Sequence, residues 1–331
     1  MPKTSREVHL VSRPDGMPVE SNFAVVETTV PDVGPGEIQV QNLYLSIDPA
    51  MRPRLSAAQN LDEAMLGGAI GRVVQSRNPN FKEGDIVQHR WSFREYLNSD
   101  GDGIAPMRPD PDLPLPVYMH ALGGTGFVAY GGLLDIGKLQ EGEQVFVSTA
   151  AGAVGSVAVQ VAKLRNCYVI GSTGSDDKVR WLRDDLGLDA VINYKKEPIG
   201  KALKAAAPNG IDVYFDNVGG DHLDAALPRM NQLGRIPVCG MISAYNNFGS
   251  ISAPVTKLSN IIYGRVTIRG FVGADFPQLR EQFVHEMTGW LKDGRMKYQE
   301  TIVNGVENAP GALIGLLNGA NTGKMMVKLA D

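Results

Sequence analysis

The chain has 331 residues, more than a single hydrophobic core usually organises, so we expect two domains. Its net charge of −4 and the lack of any Lys/Arg block argue against a nucleic-acid partner. No apolar run approaches the roughly 20 residues that cross a bilayer, and the first residues lack the apolar core of a signal peptide, so we expect a cytoplasmic protein with no membrane partner.

Short apolar runs and frequent Pro and Gly residues mark the first part of the chain. Turn residues such as Pro35-Gly36 separate runs that predict strands, namely FAVVET, EIQVQNLYLSI, AIGRVVQS and DIVQHRW. Long helical periodicity is missing here. This part of the sequence therefore predicts an irregular β domain.

The pattern changes after Pro116, where apolar strands begin to alternate with helical segments. The helix after the first of these strands has Val154, Ala158 and Val161 at helical spacing. The predicted strands are EQVFVSTA, CYVIGS, AVIN, IDVYFDNV, GRIPVCGMI and RVTIRGFVG. Alternating strands and helices are typical of βαβ units, so we predict a doubly wound parallel sheet of the Rossmann type.

The last part of the chain has one predicted helix, LREQFVHEMTGWLKDG, followed by short mixed segments like those of the first part. This return of mixed character predicts a discontinuous substrate domain made of both chain ends. We place that domain at residues 1–122 and 296–331, and the Rossmann dinucleotide-binding domain at residues 123–295.

A glycine loop joins the first strand of the α/β region to its helix. It reads Ala150-Ala151-Gly152-Ala153-Val154-Gly155, a variant of the dinucleotide fingerprint with Ala150 at the first Gly position. A pyrophosphate must approach backbone N–H groups at a helix N-terminus, where a side chain at Gly152 would block it. Such turns also occur without a ligand, but the strand before it and the helix after it favour cofactor binding.

The end of the second strand indicates which dinucleotide is bound. An NAD enzyme usually has a carboxylate there for the ribose 2′-hydroxyl, and residues 171–175 contain none. Lys178 and Arg180 follow, as expected for the 2′-phosphate of NADP. A solvated helix surface is the alternative, and Asp176 or Asp177 remains able to reach a ribose. We predict NADPH as the cofactor.

A catalytic zinc site needs clustered Cys, His and acidic ligands. Cys167 and Cys239 each lie in an apolar run of the Rossmann region, as buried core thiols do. The histidines are scattered, at His9, His89, His120, His222 and His285. We therefore expect no bound metal.

These motifs together resemble the zinc-independent medium-chain dehydrogenase/reductases, in the group of prostaglandin reductases, alkenal double-bond reductases and curcumin reductases. The matching segments span almost the whole chain: LSIDPAMRPRL, GLLDIGKLQEGEQVFVSTAAGAVGS, GIDVYFDNVGG, RIPVCGMISAYN, RGFVGADF and NGVENAPGALIGLLNGANTGKMMVK. The resemblance implies a GroES-like substrate domain and a homodimer formed through the Rossmann domains. It also implies metal-free, NADPH-dependent reduction of a carbon–carbon double bond in an α,β-unsaturated ketone or aldehyde.

The resemblance also implies which residues form the site. Those near the cofactor would be Gly152, Ala153, Val154, Gly155, Lys178, Tyr194, Asn217, Cys239, Gly240, Ser243, Phe271, Val272, Gly273 and Asn321. Tyr245 would face the substrate, and Ala50 would line its pocket. In this group position 50 is often Tyr, so Ala50 reshapes the pocket. Val128 stands where the group has a Thr, which puts one nicotinamide contact in doubt.

Conjugate reduction develops negative charge on the carbonyl oxygen, and a fixed donor must meet it. Tyr245 and the cofactor's ribose hydroxyl are the candidates. Alternatively, Tyr245 is a surface loop residue and Asn217 a turn residue ahead of Gly219-Gly220. Two other functions remain open at this point: an NADPH quinone oxidoreductase, and a catalytically silent NADPH-binding protein.

Overall fold

The computed structural model describes residues 2–247 and 254–331. The chain forms two compact units. Unit 1 comprises Met1–Met119 and Glu300–Asp331, and unit 2 comprises His120–Gln299. Within the described residues, no helix combines the length and the apolar character needed to cross a membrane.

The first segment of unit 1 is mainly β-structure. Its strands and helix, in chain order, are β1 (Lys3–Leu10), β2 (Phe23–Val30), β3 (Ile38–Ser46), α1 (Met51–Ser56), β4 (Ala69–Ser76), β5 (Ile86–His89), β6 (Tyr96–Ser99) and β7 (Ala105–Met107). In β2 the side chains of FAVVETTV alternate between more and less buried positions, as in a strand with one solvated face.

Unit 2 alternates helices and strands. Its elements are α2 (Gly124–Gly131), β8 (Gln144–Val147), α3 (Ala153–Lys163), β9 (Tyr168–Thr173), α4 (Asp176–Arg180), β10 (Ala190–Asn193), α5 (Ile199–Ala206), β11 (Ile211–Phe215), α6 (Gly220–Ala226), β12 (Met230–Val238), α7 (Ser259–Gly264), β13 (Thr267–Gly270) and α8 (Arg280–Lys292). A π-helical turn extends α2 over Gly132–Ile136, and another extends α4 over Trp181–Asp185.

The chain then returns to unit 1 with β14 (Glu300–Asn304), α9 (Ala309–Leu317) and β15 (Lys324–Lys328). Helix α9 was not predicted, because its sequence APGALIGLL contains a proline and two glycines. The proline lies at the start of the helix, where its missing N–H removes no hydrogen bond. Packing against the core stabilises α9 further, since Leu313 and Leu316 are buried.

The strands of unit 1 form two sheets in the described residues. One is the antiparallel pair β1–β2. The other runs in the order β14-β15-β3-β4-β5-β7, with β6 also pairing with β3. Helix α9 and strands β1, β3 and β15 enclose a core that includes Val8, Leu45, Leu313 and Val327. This unit is the predicted mainly β domain.

The described strands of unit 2 form a six-stranded sheet in the order β10-β9-β8-β11-β12-β13. Every pair in it is parallel. Counted from its own first strand, the order is 3-2-1-4-5-6, the doubly wound Rossmann arrangement. The parallel sheet predicted from the sequence is therefore confirmed. Cys167 and Cys239 each lie one residue outside a strand rather than on it, and Cys239 is only partly buried, unlike the core thiol expected.

Candidate active site

The loop between β8 and α3 places two glycines against the strand. A Cβ atom on Gly155 would lie only 2.2 Å from the carbonyl oxygen of Thr149, so no side chain fits there. Gly152 is the N-cap of α3, and a Cβ on it would meet Thr149 at 3.3 Å. Because Gly152 and Gly155 have no side chains, a ligand at the start of α3 can approach the loop backbone closely.

The first turn of α3 is suited to a phosphate group. It contains no acidic residue, and its leading N–H groups have no acceptor within the helix. The helix dipole adds partial positive charge at this end. Residues Gly152–Gly155 therefore fit a dinucleotide pyrophosphate.

A second feature of this part of unit 2 is a pair of lysines, of which one follows β9 and the other follows β10. Lys178 lies in the first turn of α4, where its backbone N–H donates to the hydroxyl of the N-cap Ser175. Burial lowers the pKa of Lys178, and the nearby charge of Lys195 lowers it further. The Lys195 side chain packs over Gly174, where an added Cβ would be 3.2 Å from its Cε and 3.0 Å from the Tyr194 hydroxyl. Two cations and a phenol thus surround one small region.

The two carboxylates nearby are engaged with other groups. Asp176 pairs with Lys196 and accepts a hydrogen bond from the Asn193 amide at 2.9 Å. Asp177 pairs with Arg180. Ser175 does act as a helix cap, which was the alternative explanation for this segment. The arrangement favours an anion beside Lys178 over a ribose hydroxyl held by an aspartate.

The loop after β11 is organised by a buried carboxylate, Asp216. It accepts hydrogen bonds from the Tyr214 hydroxyl at 2.6 Å and from the N–H groups of Val218 and Gly219 at 2.9 and 2.8 Å. Burial raises the pKa of Asp216, while these donors oppose the shift. The neighbouring Asn217 donates its amide to the carbonyl of Ser148 at 2.7 Å. Asn217 is thereby fixed at the end of the strand.

The loop after β12 is hydrogen-bonded to the loop after β11. The N–H groups of Cys239 and Gly240 both donate to the carbonyl of Asp216, at 2.8 and 3.1 Å. The Ser243 hydroxyl donates to the carbonyl of Val218 at 2.6 Å. These bonds join the loops that follow β11 and β12 into one structure.

Tyr245 folds back over this structure. A Cβ on Gly240 would lie 3.2 Å from the Tyr245 hydroxyl. Burial raises the pKa of the Tyr245 phenol, and a hydrogen bond with the Met241 backbone opposes this. A phenol in this setting is protonated at neutral pH, so it is available as a hydrogen-bond donor.

The segment after β13 carries the last of the expected cofactor residues in unit 2. Phe271 packs against Phe215 at a ring distance of 6.0 Å, and Val272 is exposed. A Cβ on Gly273 would lie 3.4 Å from the Val128 side chain. Val128, which replaces the expected threonine, is therefore next to this segment.

All of these residues lie on one edge of the sheet. They follow the carboxyl ends of β8, β9, β11, β12 and β13 in a parallel sheet, and such ends share one edge. Tyr194 follows β10 at the same edge and packs against His222 with ring centroids 5.1 Å apart. The carboxyl edge of an open parallel sheet is the usual ligand-binding side of this fold.

Two expected site residues belong to unit 1. Asn321 is buried and donates its amide to the carbonyl of Gly323 at 2.7 Å. Ala50 is exposed and lines a cavity of about 70 Å³ within this unit.

Metal-ligating side chains do not gather in the part of the chain that the structure describes. Within residues 2–247 and 254–331, no three His, Cys, Asp or Glu side chains are placed to hold a metal ion. Burial lowers the pKa of both His89 and His222 to about 4, so each ring is neutral at pH 7.

Sequence reasoning missed two residues of this edge, Lys195 and Asp216. Lys195 follows Tyr194 in the segment INYKK, and its closeness to Lys178 depends on how β9 and β10 pair. The role of Asp216 could have been predicted from the sequence, because an aspartate directly after the strand IDVYF is placed to accept hydrogen bonds from backbone N–H groups.

Comparison with known proteins agrees with this architecture. Residues 6–107 match the family described as the N-terminal domain of oxidoreductase, and residues 153–289 match the one described as zinc-binding dehydrogenase. NADPH-dependent curcumin reductase of Escherichia coli (strain K12) is 38% identical to this chain, with 97% of the chain and 96% of the relative covered. The NADP(+)-dependent 2-alkenal reductase of Nicotiana tabacum is 37% identical, with 99% and 98% covered.

A solved structure is similar over the same length. The crystal structure of CurA from Vibrio vulnificus in complex with NADPH has a TM-score of 0.92 and 38% identity, with 98% of this chain and 99% of that chain covered. The chain therefore belongs to the medium-chain dehydrogenase/reductase family, in the group of prostaglandin, alkenal and curcumin reductases that its motifs resemble.

Proposed function

We propose that this protein uses NADPH to reduce the carbon–carbon double bond of α,β-unsaturated ketones or aldehydes. The observation that carries the proposal is the position of Tyr245. Its half-buried hydroxyl lies over Gly240, on the same sheet edge as the glycine loop and the lysine pair. The relatives named as NADPH-dependent and 2-alkenal reductases support the same chemistry.

NADPH is the cofactor that this edge fits. Gly152–Gly155 would hold the pyrophosphate, and Lys178 would hold the 2′-phosphate with Lys195 beside it. Tyr194 would cover the adenosine half. Along the sheet edge, the cofactor would be followed by Asn217, Cys239, Gly240 and Ser243, with Phe271–Gly273 near the nicotinamide. When bound, NADPH supplies the hydride.

Tyr245 would act on the substrate oxygen. Charge builds on that oxygen as an enolate forms, and a fixed donor stabilises it. Burial raises the pKa of the Tyr245 phenol, so the proton stays on its oxygen at pH 7. Asp216 would act indirectly, because it holds the two loops that carry Asn217 and Gly240.

We propose that this chemistry needs no metal. Reduction of a carbonyl concentrates charge on an alkoxide, and a zinc ion is a common way to stabilise it. An enolate spreads the charge over more atoms, so a phenol and a ribose hydroxyl suffice. Within the described ranges, no group of three potential ligands is present.

A homodimer formed through unit 2 is part of the proposal. Strand β13 is at the end of the sheet, so one of its edges is open for pairing among the described strands. The preceding helix α7 exposes Ile262 and Tyr263, at 73% and 80% of their surface. Large exposed apolar side chains and an unpaired strand edge are each typical of an interface with another protein surface.

The test is a side-by-side assay of NADPH oxidation with an enone, an enal and a quinone, each repeated with NADH. We expect turnover of the enone and the enal with NADPH, weaker use of NADH, and full activity after exhaustive chelation. Consumption of the quinone alone would replace the proposal with a quinone oxidoreductase. NADPH binding without turnover of any of the three would indicate a silent binding protein.

A further inference from the structure

The helix that would hold the pyrophosphate begins without a capping side chain. Its N-cap residue is Gly152, which has no side chain to accept a hydrogen bond from the first turn of α3. A serine, threonine or aspartate at an N-cap usually orders the helix start by accepting from the N–H of the second or third helical residue. Such a cap would occupy N–H groups that a phosphate needs. The start of α3 therefore needs a different anchor if its first turn is to be rigid.

A buried histidine of unit 2 supplies this anchor. The Nε2 atom of His120 lies 3.1 Å from the carbonyl oxygen of Ala153, the first residue of α3. Because a carbonyl oxygen can only accept, Nε2 carries the proton and donates. The hydroxyl of Ser156, in the same helix, is 3.5 Å from this nitrogen. The imidazole thus bonds to the start of α3 through a carbonyl and does not occupy the leading N–H groups.

His120 is itself held in place, since it is only 1% exposed. Its backbone carbonyl accepts from the N–H groups of Gly123 and Gly126, at 3.1 and 3.0 Å, and from the Thr125 hydroxyl at 3.0 Å. Gly123 is the N-cap of α2, and the other two residues are in the first turn of that helix. His120 therefore joins the beginning of α2 to the beginning of α3.

We propose that His120 is a positioning residue for the cofactor: its imidazole donates to the Ala153 carbonyl and holds the first turn of α3 in the orientation that binds the pyrophosphate of NADPH. A turn that is fixed before the cofactor arrives loses little conformational entropy on binding, and this raises affinity. The inference rests on the proposed placement of the pyrophosphate at Gly152–Gly155. It does not rest on the proposed double-bond reduction.

Calorimetry with three ligands that carry different parts of the cofactor tests this role. The ligands are NADPH, 2′-phospho-ADP-ribose, which keeps the pyrophosphate but lacks the nicotinamide, and adenosine 2′-monophosphate, which lacks both. His120→Leu removes the donor. It should weaken NADPH and 2′-phospho-ADP-ribose by the same factor, roughly three- to tenfold for one neutral hydrogen bond, and leave adenosine 2′-monophosphate unchanged. His120→Gln, whose amide can donate to the same carbonyl, should restore most of the lost affinity.

The matched control is His89→Leu. His89 is also a buried histidine, at 5% exposure, and it lies at the end of β5 in unit 1, where its Nδ1 accepts from the N–H of Trp91. Because this variant also removes a buried imidazole and one hydrogen bond, it should affect the unfolding midpoint to a similar extent. Its affinity for all three ligands should stay native.

Three results would overturn the role given to His120. Equal weakening of all three ligands in His120→Leu would indicate general damage to unit 2 and not a misplaced turn. Native affinity for 2′-phospho-ADP-ribose in His120→Leu would show that the turn needs no anchor. Affinity in His120→Gln as low as in His120→Leu would show that the donor does not matter.

Two measurements on the native protein complete the test. NMR of the histidine ring nitrogens should show the proton of His120 on Nε2, and a ring protonated only at Nδ1 would overturn the inference even if His120→Leu does not fold. If 2′-phospho-ADP-ribose binds no more tightly than adenosine 2′-monophosphate, the pyrophosphate placement fails and the inference fails with it. None of these measurements depends on turnover of an enone, so they stand apart from the proposed reaction.

Discussion

Two lysines, one in each unit, show how position decides what a charge does. In unit 1, Lys324 is 1% exposed, and its ammonium meets the carbonyls of Ile47 and Met325 and the carboxylate of Asp48. In unit 2, Lys178 is half-buried beside Lys195, a second cation. Burial lowers the pKa of both lysines, but a neighbouring carboxylate opposes the shift at Lys324 and a like charge adds to it at Lys178.

From this difference we expect Lys324 to stabilise the fold and Lys178 to bind a ligand. Where a buried ammonium is surrounded by oxygens, removing one of its partners destabilises the folded protein. An ammonium beside another cation gains from an added anion. Changes in the interior of unit 1 should therefore alter the free energy of unfolding, whereas changes on the sheet edge of unit 2 should alter binding and turnover.

The largest effect is expected at Lys324. Lys324→Met removes the partner of Asp48 and should lower the free energy of unfolding by about 3 kcal/mol, the lower end for a broken buried pair, because Asp48 is partly exposed. Denaturant unfolding followed by circular dichroism measures this. Lys328→Met, on the same strand with its side chain paired to the terminal Asp331, is the control and should cost far less. Equal losses would remove the distinction drawn for Lys324.

Tyr245→Phe should affect turnover rather than folding. If the phenol stabilises the enolate, kcat for an enone falls. The activation free energy then rises by up to about 2.7–4 kcal/mol, as when an oxyanion-hole donor is lost. The dissociation constant of NADPH and the unfolding midpoint should stay near native values. A kcat close to native would show that Tyr245 is not the main donor and that the ribose hydroxyl stabilises the enolate.

Lys178→Ala should weaken NADPH binding by about 1.5–3 kcal/mol, or roughly ten- to a hundredfold, and leave NADH nearly unchanged. Lys195→Ala should act in the same direction with a smaller effect. Fluorescence titration with both cofactors gives the two dissociation constants. Lys201→Ala, an exposed lysine on α5 paired with Glu197, is the control. Equal native affinity for NADPH and NADH would contradict the role given to Lys178.

Glu300→Gln should change how stability depends on pH. Burial raises the pKa of Glu300 to about 7, with the charge of Lys324 opposing the shift. Because the folded state holds this proton more tightly than the unfolded state does, its contribution is present at low pH and is lost as pH rises through about 7. The variant should flatten this decline between about pH 4.5 and 7, the limits set by the ordinary and the raised pKa values. The control is Glu27→Gln, at an exposed position on β2. If the two variants showed the same dependence of stability on pH, the contribution assigned to Glu300 would be refuted.

The sequence was most informative about unit 2. Mostly apolar runs such as QVFV and IDVYF, each followed by a helical segment, are enough to predict buried parallel strands. The glycine loop then locates the carboxyl edge. That edge brings together residues far apart in the chain, from Gly152 to Gly273, because every strand of a parallel sheet points the same way.

Unit 1 was harder to predict in detail, because its specific features depend on long-range pairing. Lys324 meets the carbonyl of Ile47, 277 residues earlier, only because β15 pairs with β3. The cavity beside Ala50 brings together residues of α1, the segment before β4 and the end of β5. No local pattern encodes either arrangement, and the same is true of Lys195 beside Lys178.

Product analysis tests the central claim most directly. An enone is incubated with NADPH carrying deuterium at the transferred position, and the product is identified by NMR and mass spectrometry. We predict a saturated ketone with deuterium on the β-carbon, because charge then develops on an oxygen that Tyr245 can meet. An allylic alcohol with deuterium on the carbonyl carbon would contradict the account.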